Sequence, residues 1–185
     1  HDDAYTPDGR HGMRPDYPSI VYSKILKQLF PDVPVVLGGI EASLRRLTHY
    51  DYWEDKLKKC ILCESGADII LYGMGENNTL QLCRELENGR SIKDVKDIPQ
   101  TVYLAKKEDI PGGITDTDIV LHSHEECLRN KKAQAENFRH IEEESNKMHA
   151  QRLIQGVDHQ FAVVNPPYPP MTTEELDAAF DLPYT

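Results

Sequence analysis

Cysteine, tryptophan and long apolar runs are scarce in this sequence. Four cysteines in 185 residues are too few for a disulfide scaffold and read as reduced, cytoplasmic thiols. No apolar run approaches the roughly 18 residues that suggest a membrane span, and the opening residues lack the basic-then-apolar pattern of a secretory leader. Positive charge is also in deficit. Lys and Arg number 21 against 31 Asp and Glu, a net charge of −10. Phosphate contacts need a basic surface, so this balance argues against duplex DNA as a partner. No internal repeat, G-x-G-x-x-G or P-loop occurs.

The length suits one domain of ordinary size, with roughly 70 % of its unfolded surface buried on folding. The chain opens on His1 and closes on Thr185, just beyond a Pro-rich stretch. These ends read as those of a piece cut from a longer protein. Residues 1–17 are polar and broken by Gly and Pro, which argues against regular structure. A helix is expected from Pro18. Val21, Ile25 and Leu29, with Tyr22, Leu26 and Phe30, give it an apolar stripe that ends at Pro31. Val33–Gly39 and Ala67–Gly73 read as short buried strands closing on glycine turns. Each is followed by helical periodicity, with Ile40, Leu44 and Leu47 on one face after the first. A further short helix is expected over Tyr52–Leu62, and two more strands over Thr101–Leu104 and Asp118–Leu121. The alternation predicts an α/β domain over residues 18–122, Rossmann- or flavodoxin-like. Its sheet would be mostly parallel, with helices on both faces.

Residues 123–185 read differently, as an extension of helix, hairpin and Pro-rich spacer. Ser123 and Glu126 form a capping box. A long polar helix is expected to run on to about Ala150, with a thin stripe of Leu128, Ala135, Phe138, Ile141 and Met148. Gly156-Val-Asp158 reads as the turn of a hairpin, Asn165–Pro170 as a stiff spacer, and Glu174–Phe180 as a last short helix.

Several groups could carry chemistry. The turns at Gly38-Gly39 and Gly73-Met-Gly75 lie where strands hand over to helices, the edge at which open α/β sheets bind ligands. Glu41, Arg45, Arg46, His49 and Glu76 stand beside them. These residues could present polar groups to a ligand. Equally, the loop could pack its aromatics Tyr50, Tyr52 and Trp53, with Arg45 paired to Glu41 at i, i+4. Cys60-Ile-Leu-Cys63 could be half a metal site, a redox pair, or two small core residues. It is placed at the end of a basic helix. His122 and His124 should diverge at a helix start, which argues against a shared ion.

Five segments also carry a resemblance when taken in order. They are His1–Pro7, Val33–Arg46, His49–Trp53, Leu71–Glu76 and Val164–Pro167. Together they resemble the YgiQ-type radical SAM family over essentially the whole chain, in the region N-terminal to the radical SAM barrel. The resemblance implies a barrel whose C-x3-C-x2-C loop binds a [4Fe-4S] cluster, with S-adenosylmethionine on the open iron. That motif is absent here, so this chain is expected to hold no cofactor itself, while the full-length protein holds both. The implied role is an accessory domain facing substrate or cofactor. Its partners would be the barrel of the same chain and an unidentified substrate. Gly38, Gly39, Glu41, Arg45, Arg46, His49, Gly73, Gly75 and Glu76 would line the candidate binding edge. Two other readings stay open: a non-catalytic module docking on the barrel, and a small metal or redox protein using Cys60 and Cys63. The strand–Gly-Gly–helix layout is also similar to cobalamin-binding domains, but their D-x-H-x-x-G motif is missing.

Overall fold

A computed structural model of the chain describes residues 4–183, so the first three residues of the opening motif lie outside it. Helix α1, Pro18–Leu29, begins with proline in its first turn and stops at Phe30, ahead of Pro31. Strand β1 is Val36–Leu37 and α2 is Gly39–Leu44. The segment expected as a helix over Tyr52–Leu62 is instead a hairpin followed by a helical turn. Strands β2 (His49–Asp51) and β3 (Lys56–Lys58) pair antiparallel, and α3 (Ile61–Ser65) follows. The hairpin wins because Asp51 accepts the Glu54 N–H at 2.9 Å and Asp55 takes a left-handed φ of 51°. Those bonds close a tight turn that a helix would open.

Strand β4 (Ile69–Leu71), α4 (Glu76–Glu87), β5 (Thr101–Ala105) and β6 (Ile119–Leu121) come next. The long polar helix is in fact two, α5 (His124–Arg129) and α6 (Lys131–Ser145). Asn130 interrupts it by accepting the Lys132 N–H, a cap that replaces the helical bond. The expected stripe is largely solvent-facing: Leu128, Ala135, Phe138 and Met148 are exposed, while Ala133, Asn137 and Glu144 are buried. Asn137 clamps the end of β6, with its amide giving and taking hydrogen bonds at the His122 backbone.

Strands β7 (Leu153–Val157) and β8 (Gln160–Val164) form the expected hairpin, and α7 (Thr173–Phe180) closes the described chain. The hairpin is not an extension. It lies inside a six-stranded sheet ordered β1-β4-β5-β8-β7-β6. The α/β class with helices on both faces holds, and the sheet is mixed. Pairs β1–β4 and β6–β7 at the two edges are parallel, whereas β4–β5, β5–β8 and β7–β8 are antiparallel. Each apolar alternation feeds one face. Ile70, Val102, Ala162 and Leu153 pack beneath α1, α2 and α3, while Ile69 and Leu71 meet Leu82 of α4 on the opposite face. Farther along that second face, Tyr103, Ile154 and Val163 are covered by Ile110 and Ile114 of the loop before β6. Arg152 holds that loop with bonds to Asp118 and to the Pro111 and Gly113 carbonyls.

Helix α1 turns its expected stripe outward. Ile20 and Ser23 are its buried residues, and Lys27 reaches Asp68 at 3.0 Å, whereas Tyr22, Ile25, Leu26 and Leu29 are exposed. In the 185-residue chain, Ile70→Ala should therefore cost about 2–5 kcal/mol. Leu29→Ala should change stability by less than about 0.5 kcal/mol. Urea unfolding of the two variants measures both, and equal losses would contradict this orientation of α1.

Candidate functional site

The two glycine turns lie side by side. Gly39 and Gly73 adopt left-handed φ values of 76° and 69°, which favour glycine. A side chain at Gly73 would place its Cβ 3.2 Å from Gln100 Nε2. Ser43 of α2 joins the turns. Its hydroxyl donates to the Gly39 carbonyl and accepts the Gly73 N–H at 3.1 Å.

Gln100 and Asn165 hold this edge in place. Gln100 has a φ of 60°, and its carbonyl accepts from Tyr72 N–H and Asn78 Nδ2. Its amide donates to the Met74 carbonyl and accepts from the Tyr168 N–H, tying the second turn to the Pro-rich segment. Asn165 Nδ2 donates to the Lys96 and Ile98 carbonyls and to Thr101 Oγ1, and its own carbonyl accepts the Tyr72 hydroxyl at 2.6 Å. Residue types gave no signal for Gln100. Asn165 was visible only as part of the Val164–Pro167 segment. Between these parts lies a cleft of about 460 Å3, lined by Tyr72, Gly73, Met74, Asn77, Lys147 and Tyr168 among others.

The polar residues beside the turns divide into two groups. Arg46 lies behind the cleft, against Tyr72 of its lining. Its guanidinium lies 5.1 Å over the Tyr72 ring and donates to the Ser43 carbonyl. Arg46 Nε is buried without a partner, and among the described residues no carboxylate lies within 4 Å of the group. Burial lowers its pKa and pushes that of Tyr72 up to about 12.

Glu41 and Arg45 point elsewhere. Glu41 accepts the Ser19 hydroxyl at 2.6 Å and faces Arg45 at 3.2 Å, the i, i+4 pair foreseen from spacing. Arg45 also approaches Asp51 at 3.7 Å, and Asp51 accepts the Tyr17 hydroxyl. The Tyr17 ring is flanked by the Arg45 guanidinium at 5.5 Å and by Lys58 Nζ at 3.7 Å. Lys56 and Lys58 hold Glu54 down at about 2. This cluster pairs its charges internally, with Arg45 Nη1 and Asp51 Oδ2 buried and without a hydrogen bond, and it joins α1, α2 and the β2–β3 hairpin. His49 on β2 meets the Leu47 carbonyl through Nδ1, with Nε2 buried and unpaired. Glu76 is exposed at the start of α4.

The thiols do not gather. Cys60 caps the start of α3 just after β3, so the pair opens a helix instead of ending one. The hydrogen bond between its thiols raises the Cys60 pKa and lowers that of Cys63. Cys83 is exposed on α4, and Cys127 is buried beside Asn137. Among the described residues no three His, Cys, Asp or Glu side chains form a metal-binding group, so these cysteines do not fit an iron–sulfur cluster. His122 and His124 diverge as expected: one meets Glu136, the other is buried against Thr48.

The radical SAM N-terminal family model matches residues 1–185. The chain belongs to that family. It is 58 % identical to a UPF0313 protein of Bacteroides thetaiotaomicron, covering all of this chain and 31 % of that protein. UPF0313 proteins of Porphyromonas gingivalis and Geobacter sulfurreducens are 56 % and 42 % identical, again over all of this chain, which covers 29 % and 30 % of them. The chain thus spans about 30 % of the length of the curated relatives it matches. No solved structure matches it.

Two outcomes test the geometry of this family member. Asn165→Ala strands buried carbonyls and should cost about 1–3 kcal/mol. Asn165→Asp should fare no better, because a carboxylate cannot donate to Lys96 and Ile98. Denaturant titration reads both, and a neutral Asn165→Asp would refute the assigned bonds. Burial lowers the pKa values of His49 and His124 below the ordinary 6.5. The unfolded chain then binds more protons as pH falls through that value, so stability present at neutral pH should decline below it. His124→Asn should flatten the decline in thermal melts across that range.

Proposed function

We propose that this chain is an accessory domain of a radical SAM iron–sulfur enzyme, with its glycine-turn cleft facing substrate or cofactor. The cluster and S-adenosylmethionine belong, in this reading, to the part of the longer proteins outside these residues. When bound there, the cluster would supply the electron for reductive cleavage of S-adenosylmethionine. This chain's cysteines do not meet in a cluster-binding set, so it contributes no iron ligand.

The observation that carries the reading is Arg46. It is a half-buried cation that makes no ion pair within 4 Å among the described residues, with Glu142 as a more distant carboxylate, and it is stacked on the Tyr72 ring that lines the cleft. A guanidinium so placed is suited to an anionic group of a ligand, and the neighbouring tyrosine and methionine side chains to a planar or apolar body. Gly73 lines that edge and Gly39 turns the chain beside it, both in backbone conformations that favour glycine, with Gly38 and Gly75 flanking them. Glu41, Arg45 and His49 support it from behind by fixing α2 and β2. Four unpaired thiols support a cytoplasmic setting, and no helix among the described residues is long and apolar enough to cross a membrane.

The test uses the full-length protein, prepared anaerobically and reconstituted with iron and sulfide. It should cleave S-adenosylmethionine to 5′-deoxyadenosine, and the 185-residue chain alone should not. Absence of both cluster and cleavage in a well-folded full-length protein would sink the enzyme reading. Arg46→Gln in the full-length chain should lower turnover about tenfold or more, the loss of one charged hydrogen bond. Full activity in that variant would remove the cleft from the function.

A further inference from the structure

The polarity of three neighbouring elements is inverted. On α1, Ser23 and Lys27 turn inward while Ile25, Leu26 and Leu29 turn outward, Leu29 being 65 % exposed. On α2, Ala42 is buried, yet Ile40 and Leu44 are 81 % and 70 % exposed. Trp53, the single tryptophan, sits at the β2–β3 tip and is 84 % exposed. These three surfaces belong to one body. The charged cluster joins them from within, through Ser19–Glu41, Tyr17–Asp51 and Arg45 between Glu41 and Asp51. Charges that normally face water are therefore spent on holding the elements together, and large apolar side chains are left outside among the polar ones. Exposed large apolar side chains gathered on elements tied to one another in this way mark an interface.

We propose that this outward surface of α1, α2 and the hairpin tip is the seat of the remaining polypeptide of the full-length protein. The inference rests on the chain being one domain of a longer protein. The relatives it matches carry more than two thirds of their length outside the matched region. That remainder is covalently tethered, so its effective concentration at the surface is on the order of millimolar. A second copy in dilute solution competes poorly with it. The interface is of the intrachain, interdomain kind, and Trp53 has the chemistry of an anchor in a pocket.

The experiment places single cysteines at Leu29 and Ile40 of the full-length protein. Maleimide labelling is read peptide by peptide by mass spectrometry, native against urea-denatured, on material shown to be monomeric by light scattering. Both side chains are so exposed in this domain that, uncovered, they would label at nearly the denatured rate. Covered by the remaining chain, Leu29→Cys and Ile40→Cys should be protected about tenfold or more. Labelling at the denatured rate in the native monomer would overturn the proposal. So would protection that vanishes when an oligomer is diluted to monomer, which assigns the surface to a second copy. Cleavage of S-adenosylmethionine by the unsubstituted protein is measured in parallel. Unprotected cysteines with cleavage intact overturn only the docking surface; protection without cleavage overturns only the enzymatic reading.

Discussion

Strand β8 is hydrogen-bonded on both sides, to β5 and to β7. Among the described residues it is the sole strand joining β1, β4 and β5 on one side to β7 and β6 on the other. The register that pairs Val102 with Val164 has consequences beyond the sheet. It sets Asn165 beside Thr101, whose carbonyl accepts the Asn165 N–H at 2.9 Å, and sets Gln100 against Pro166. From there the Gln100 side chain reaches the Gly73–Gly75 turn and the Pro-rich segment, while the Asn165 side chain holds the backbone at Lys96 and Ile98. The cleft edge is thus a product of one strand pairing. A slip of one residue would face every core side chain of β8 to the wrong side and remove Asn165 from its three acceptors.

The charged groups serve architecture as much as chemistry. Tyr17, Glu41, Arg45, Asp51, Glu54 and Lys58 compensate one another within a single cluster. Each isolated surface ion pair is worth little, but here the pairs share partners and fix the approach of three elements with few apolar contacts of their own. Arg46 is the exception. It follows Arg45 directly in sequence, yet stacks on the Tyr72 ring and makes no ion pair within 4 Å among the described residues, with the Glu142 charge acting on it from farther off. Two adjacent arginines of one short segment therefore differ in surroundings, one within the charged cluster and one against Tyr72.

Much of this was legible in the sequence, for local reasons. Buried strands announce themselves by β-branched runs, so β4, β5 and β6 fall where expected. Glycines at strand ends marked the two turns, and the Ser123 capping box is present. The order of the motifs pointed to the family. What escaped was non-local. A hairpin pattern does not state which strands it will join, so β7 and β8 read as an appendage when they are the middle of the sheet. An apolar stripe gives the period of a helix and not the side on which the core lies, which is why α1 and α2 read inside out. The Tyr52–Leu62 segment has helical spacing, but the Asp51 bond to Glu54 closes a turn first. Gln100 carries no motif, and its role exists only once β5, the glycine turn and the Pro-rich segment have met.

The same β5–β8 pairing dictates an order of events when the chain is made. Residues 106–159 separate the two strands, so β5 is completed long before its neighbour leaves the ribosome. At ordinary translation rates of about 5–20 residues per second, that interval lasts on the order of several seconds. Throughout it β5 presents an open edge, and Tyr103 lacks the β7 and β8 side chains, Ile154 and Val163, that pack against it. Nascent-chain binding factors therefore have a defined window in which to act on this domain. The window closes only when the hairpin of β7 and β8 arrives to zip the two halves together.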